Sequence, residues 1–324
     1  MASTPSCFNF LKEGALLPTR NRKLFAAVFV LAAASTSLLL LGNDLAVQPL
    51  ADKLSLDATA LNGTDPGVGA TEHPVFFLGS PEFAHLIPEI QNDTRQLFLV
   101  GAAYSLLAVV VGSIVRIVLL FAAVATYSGE LLHTFGLLLG RAKAGLKGPL
   151  VTLAFVYALE IAYAALVTAL VALLVFLALN KHYYALLVAE AVVLLAACVF
   201  LVYFSFLCWL SVVVAVAEPG CRGAGAVGHA WRLMKGRKSR VVLFVAVIGA
   251  IAAVFSPVHA LAKTCALSNV ASGLLLGLVY SVLTAALELF AVCAMTAFYY
   301  ECKGSTEASA TDYVQVPDQE QVNA

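Results

Sequence analysis

Six long apolar runs alternate with polar segments along the chain, at residues 24–42, 97–127, 150–179, 183–217, 241–261 and 270–299. A helix that crosses a bilayer needs roughly 20 mostly apolar residues, so each run predicts a membrane span. Several are longer than a straight crossing requires, which predicts tilted helices or helices that continue into water. The 183–217 run contains no Gly or Pro and is expected to form one long helix. Pro257 is expected to kink or end the fifth helix early. A secretory signal has an apolar core of about 7–15 residues. The first run is longer and follows a long N-terminal segment, so it is expected to be an uncleaved anchor.

The polar segments divide the chain into a cytoplasmic N-terminal segment (1–23), a six-span membrane domain (24–299) and a disordered cytoplasmic tail (300–324). Residues 43–96 form the largest loop. It is acidic, and Pro and Gly punctuate it, so helix is weakly expected there. Two N-x-T sequons lie in it, at Asn62 and Asn92. Such sequons are glycosylation acceptors on a luminal or extracellular face. Asn62 is the better candidate, because Asn92 lies close to the next span.

Charge sets the orientation. With the N-terminus cytoplasmic, fourteen of the 19 Lys and Arg fall inside, and only Lys53, Arg95, Lys181 and Lys263 fall outside. That asymmetry follows the positive-inside rule and agrees with the sequons. Two of the inner loops resemble each other. Residues 137–148 and 227–240 each combine apolar positions at helical spacing with a basic cluster containing Lys-Gly. Both are expected to be interfacial helices on the inner leaflet. Arg232, Lys235, Arg237, Lys238 and Arg240 are the expected contacts to anionic lipid, with Trp231 at headgroup level.

Composition changes the picture only by exclusion. Hydrophobic residues make up 61% and charged residues 12% of the 324 residues. Soluble domains average about 45–50% apolar and about 25% charged, so the expected fold class is an all-α, polytopic transmembrane bundle. A net charge of zero points to no nucleic-acid partner. The seven cysteines show no CxxC or Cys/His ligand spacing, so no metal or other cofactor is expected. Nucleophile, P-loop and dinucleotide motifs are missing. The six histidines form no ligand pair at helical spacing, and each is expected at a surface or interface.

Charges inside spans are the best functional leads, because insertion of each costs at least about 2.5–3.5 kcal/mol. They are Arg116, Glu160, Glu190 and Glu288. At 1.5 Å per residue, Arg116, Glu160 and Glu288 each lie roughly 16–17 Å from the basic end of their helix. Glu190 lies at another level. Small residues recur beside each of the three: Gly101, Ser105, Ala108 and Gly112 before Arg116; Ala164, Thr168 and Ala172 after Glu160; and Gly273, Gly277, Ser281 and Ala285 before Glu288. Such stripes permit close helix approach. An Arg116–Glu160–Glu288 cluster facing the bundle centre is therefore expected, either as an ion pair that sets helix neighbours or as a polar site for a proton, cation or small solute.

Glu218-Pro219, followed by Ala230-Trp231-Arg232-Leu233-Met234-Lys235-Gly236-Arg237 and a span, resembles a large family of uncharacterised plant six-helix membrane proteins. More distantly it is similar to the helical membrane domain attached to some bacterial glycerophosphodiester phosphodiesterases. The resemblance implies the helical architecture. It does not imply the phosphodiesterase activity, which belongs to a separate barrel of about 250 residues. The expected function is a non-enzymatic component that organises membrane lipids or binds protein partners, a second copy of the chain included. The alternative is a transporter or channel that uses the buried charges.

Overall fold

The computed structural model describes residues 8–63, 81–130, 134–179, 184–268 and 270–314. The protein is an all-α, polytopic membrane bundle, and six of its helices are long and apolar enough to cross a bilayer. In chain order the helices are α1 (Asn9–Arg20), α2 (Arg22–Ala46), α3 (Gln48–Gly63), α4 (Pro81–Tyr127) and α5 (Phe135–Gly145), followed by α6 (Lys147–Leu179), α7 (Tyr184–Ala217), α8 (Ala224–Met234), α9 (Lys238–Ser268) and α10 (Val270–Val314). The candidate spans lie on α2, α4, α6, α7, α9 and α10.

Local chemistry explains where several helices stop. The Asn21 side chain accepts a hydrogen bond from the Leu24 amide and so separates α1 from α2. Past α4, Gly129 adopts φ +76°, and the Glu130 amide reaches back to the Ala125 carbonyl. That six-to-one bond is a Schellman closure, which only a residue tolerant of positive φ makes cheaply. Gly236, at φ +85°, turns the chain from α8 into α9.

Packing concentrates at one end of the bundle, where α1, α5 and α8 lie and where most of the cations are; we call it the basic end. α10 is the hub, packed against α9, α1, α2 and α4. Its buried stretch from Cys293 to Tyr299 meets the buried halves of α4 (Ile117–Ala123) and α7 (Leu210–Val216). Phe10, Phe206, Phe244 and Phe298 join α1, α7, α9 and α10 through ring contacts of 5.1–6.4 Å, mostly edge to face. The other half of the bundle is splayed. Leu106, Val188, Leu195, Val254 and Leu275 are all more than half exposed there. An apolar surface of that extent suits hydrocarbon and not water.

The six spans and the single long α7 agree with the hydropathy pattern. Four features add to or differ from that pattern. The N-terminal segment is a docked amphipathic helix, α1, with Phe10, Gly14 and Leu17 buried on one face. The acidic loop contributes α3 and a long extension of α4, held together by a Lys53–Asp93 ion pair of 2.7 Å. α10 continues through Val314, so the tail is helical well beyond residue 300. Finally, of the two outcomes expected at Pro257, an early end does not occur: α9 runs on to Ser268. In hydrocarbon a broken helix would strand more backbone groups than the one bond a proline removes.

Candidate functional site

Arg116 on α4 donates from Nε to Glu288 Oε1 on α10 at 2.6 Å, deep in the membrane-spanning part of the bundle. The guanidinium carbon also lies 4.1 Å from the centre of the Trp209 ring on α7. The pair therefore joins three helices by a charge-assisted bond and a cation–π contact. The bond puts Arg116 and Glu288 at one level of the bundle. Their side chains are 39% and 22% exposed, so the pair sits at the floor of the splayed half and is not sealed in the packed end.

Glu160 is not a third partner in that pair. It interacts with Arg116 only through space and makes no ion pair with it. The reason lies in the packing of α6, which rests mainly on α7. Glu160 lies near Cys208 of that helix. Ala164, Thr168 and Ala172 are exposed, so the small-residue stripe of α6 does not face the bundle centre. On α4, a Cβ placed at Gly101 or Gly112 would meet, beyond its own helix backbone, no atom within 4 Å among the described residues. The stripe before Glu288 does better, with Gly273, Ser281 and Ala285 buried. α4 and α6 meet instead through the Ser113 and Tyr157 hydroxyls, 3.0 Å apart. Glu190 stays apart from the cluster; its Oε1 is buried and meets no hydrogen-bond partner among the described residues.

A second polar centre lies at the basic end, and the sequence pattern did not suggest it. Glu218 follows the last turn of α7. Its Oε1 accepts from the Tyr299 hydroxyl at 2.6 Å and from Lys303 Nζ at 3.1 Å, both on α10. Its Oε2 lies 3.1 Å from His229 Nδ1 on α8 and 3.6 Å from Cys221 Sγ. Burial opposes the Glu218 charge. The Tyr299 and Lys303 hydrogen bonds and the His229 imidazole outweigh that and hold its carboxyl below the usual range. Burial raises the Cys221 thiol, and the hydrogen bond to Glu218 raises it further. The turn that carries Cys221 is pinned from α6. Thr152 Oγ1 accepts from the Gly223 amide at 2.9 Å and donates to the Gly148 carbonyl at 3.1 Å. Gly223 sits at φ +54°, a conformation that favours glycine.

The basic surface around this centre is divided. Arg232, Lys235 and Lys238 are exposed, with Trp231 half exposed beside them. Arg237 and Arg240 are turned inward, contrary to their expected role as lipid contacts. Arg240 pairs with Glu301 at 3.2 Å, and Arg237 hydrogen-bonds Cys302. Met234 ends α8 and Gly236 turns the chain, so that Arg237, in the turn, and Arg240, in the first turn of α9, are directed toward α10. The sequons are also placed differently from each other. Asn92 is exposed on α4, and the side chain of Asn62 lies outside the described residues.

The model of one protein family matches residues 5–319, almost the whole chain. The chain belongs to the family described as a domain of unknown function, DUF8558. No curated protein and no solved structure matches it. Membership in DUF8558 thus covers all six spans and both polar centres, and it carries no activity with it. What the centres can do must come from their chemistry. The Arg116–Glu288 pair is closed on itself. Glu218, Cys221 and His229 offer carboxylate, thiol and imidazole donors to one small volume. A Glu-x-x-Cys step directly after a helix was the one sequence signal for that group, and it matches no common ligand spacing.

Proposed function

We propose that this protein is a non-enzymatic membrane component whose basic end lies in the cytoplasm and gathers anionic lipid. One observation carries the reading. Each helix at that end exposes a large apolar side chain beside cations: Phe8 and Leu16 with Lys12 and Arg20 on and beside α1, Leu137 and Leu139 with Arg141 and Lys143 on α5, and Trp231 with Arg232 on α8. That combination suits the boundary between headgroups and acyl chains.

Each Lys or Arg near an anionic leaflet adds about 1 kcal/mol of attraction, less at high salt. Replacing Arg232, Lys235 and Lys238 by Gln is therefore expected to weaken enrichment of phosphatidylserine over phosphatidylcholine by up to about 100-fold. The measurement is lipid bound from mixed micelles, quantified by mass spectrometry. Unchanged enrichment in the triple variant would overturn the proposal. Partner proteins, a second copy included, belong to the same proposal and would be revealed by cross-linking in native membranes. Endoglycosidase treatment of Asn62→Gln and Asn92→Gln tests the outer face. A loss of glycan in either variant places the 43–96 loop on the luminal or extracellular side.

The exposure of Arg116 supports a second reading, a transporter or channel for a proton, cation or small solute. Reconstituted protein would then show a flux that Glu288→Gln abolishes.

A further inference from the structure

We infer that Glu218, Cys221 and His229 form a binding site for a tetrahedral divalent cation of the zinc class at the basic end of the bundle. The three ligand atoms lie within 4.8 Å of one another. Glu218 Oε2 stands 3.1 Å from His229 Nδ1 and 3.6 Å from Cys221 Sγ. Around a tetrahedral zinc, with bonds of about 2.3 Å to sulfur and about 2.0–2.2 Å to nitrogen and oxygen, the sulfur–oxygen edge is about 3.6 Å and the nitrogen–oxygen edge about 3.4 Å. Two of the three edges are thus within a few tenths of an ångström of a coordinated set, with no ion needed to draw the side chains together.

The surroundings support the assignment. His229 Nδ1 is buried and makes no hydrogen bond of acceptable geometry with any described residue, although a carboxylate oxygen is 3.1 Å away. Nδ1 and Oε2 thus face each other at close range without a hydrogen bond between them, an arrangement that a shared cation would complete. Glu218 is oriented for the task. Tyr299 and Lys303 both donate to Oε1, so Oε2 is the oxygen left for a metal. Outer hydrogen bonds of this kind orient ligating carboxylates in metal sites. One carboxylate and one thiolate neutralise a dication. Thiolate and imidazole donors select zinc-class ions over magnesium or calcium. The ligands come from the end of α7, the turn after it and α8, so a bound ion would tie the placement of α8 to that of α7 and α10. A fourth coordination position remains for water or another ligand.

The test uses the full chain, free of any affinity tag, purified in detergent and stripped by a chelator. Cobalt(II) is the probe, followed by competition with zinc(II). The expected result is a thiolate-to-cobalt charge-transfer band that saturates at one ion per chain and is bleached by zinc. Cys221→Ser should abolish the band, while Cys302→Ser, which alters a buried thiol outside the group, should retain it. His229→Gln should weaken zinc by at least about tenfold, since outer-shell losses alone cost roughly 10–100-fold. No band in the wild type, or a band that survives Cys221→Ser, would overturn the inference. If Cys221→Ser does not yield monodisperse protein, His229→Gln decides it: unchanged zinc affinity there also overturns the assignment.

Discussion

Replacing Gly14 by Ala tests the most constrained contact in the molecule. A Cβ at Gly14 would stand 2.5 Å from Ala294 Cα, 2.7 Å from its nitrogen and 2.8 Å from its Cβ. These are mostly backbone atoms of α10, so no flexible side chain can move aside. Two effects oppose each other. Ala is favoured over Gly in a helix by about 0.8–1.0 kcal/mol, which by itself would strengthen α1. Overpacking costs typically about 1–3 kcal/mol, and a backbone obstacle puts this site toward the upper end. The loss has a ceiling. If α1 lifts away altogether, it gives up the burial of Phe10 and Leu17, each about 1.5–3 kcal/mol. A net loss of about 1–2 kcal/mol is expected, because the overpacking term exceeds the gain in propensity. The assay is thermal unfolding in detergent, followed by a thiol-reactive maleimide dye. Cys293, fully buried in the same small cluster as Leu17, should become reactive at lower temperature. Gly140→Ala on α5 is the control. Among the described residues a Cβ there meets nothing within 4 Å beyond its own helix backbone, so the variant should be neutral or slightly more stable. If Gly14→Ala proves as stable as Gly140→Ala, α1 does not seat against Ala294 and the account of the basic end fails.

The remaining predictions concern charges and one hydroxyl. Arg116→Gln and Glu288→Gln should each cost about 2–3 kcal/mol, below the roughly 3–5 kcal/mol of fully buried pairs because Arg116 is partly exposed. Glu160→Gln, which breaks no ion pair among the described residues, should cost much less in the same thermal assay, and an equal loss would refute the geometry described above. Arg240→Gln should lower stability through loss of the Glu301 pair while leaving anionic lipid enrichment nearly unchanged, the reverse of the Arg232, Lys235 and Lys238 triple variant. Thr152→Val leaves the Gly223 amide without its partner; a loss of about 1–3 kcal/mol is expected from that unsatisfied donor, seen as earlier maleimide labelling on heating. In chelator-treated protein, Glu218 carries a carboxyl whose pKa is lower folded than unfolded. Its stabilisation is therefore complete above the unfolded value, near 4.5, and is lost as pH falls through the folded value. Glu218→Gln should flatten that acid limb of the stability profile, and an unchanged limb would assign it to other carboxylates.

The spans, the shared depth of Arg116 and Glu288 and the crowding of cations at one end are all legible in the order of residues alone. These depend on local sums. Each residue adds its own transfer cost, and each helical residue adds a fixed rise. Rotation of a helix about its axis and the choice of neighbour are different matters. In lipid, one apolar face is as well solvated as another, so close packing and specific polar contacts decide them. That is why the α6 stripe at Ala164 and Thr168 faces outward while Val156 is buried. It is also why Arg237 and Arg240 leave the surface, since a single turn at Gly236 redirects them toward α10. The amphipathic spacing of Phe10, Gly14 and Leu17 lies in the sequence, yet only the approach of Ala294 gives that face a partner. Glu218, Cys221 and His229 were legible least of all. Their meeting depends on the end of α7, a turn pinned by Thr152 and the seat of α8, three placements that no spacing along one helix encodes.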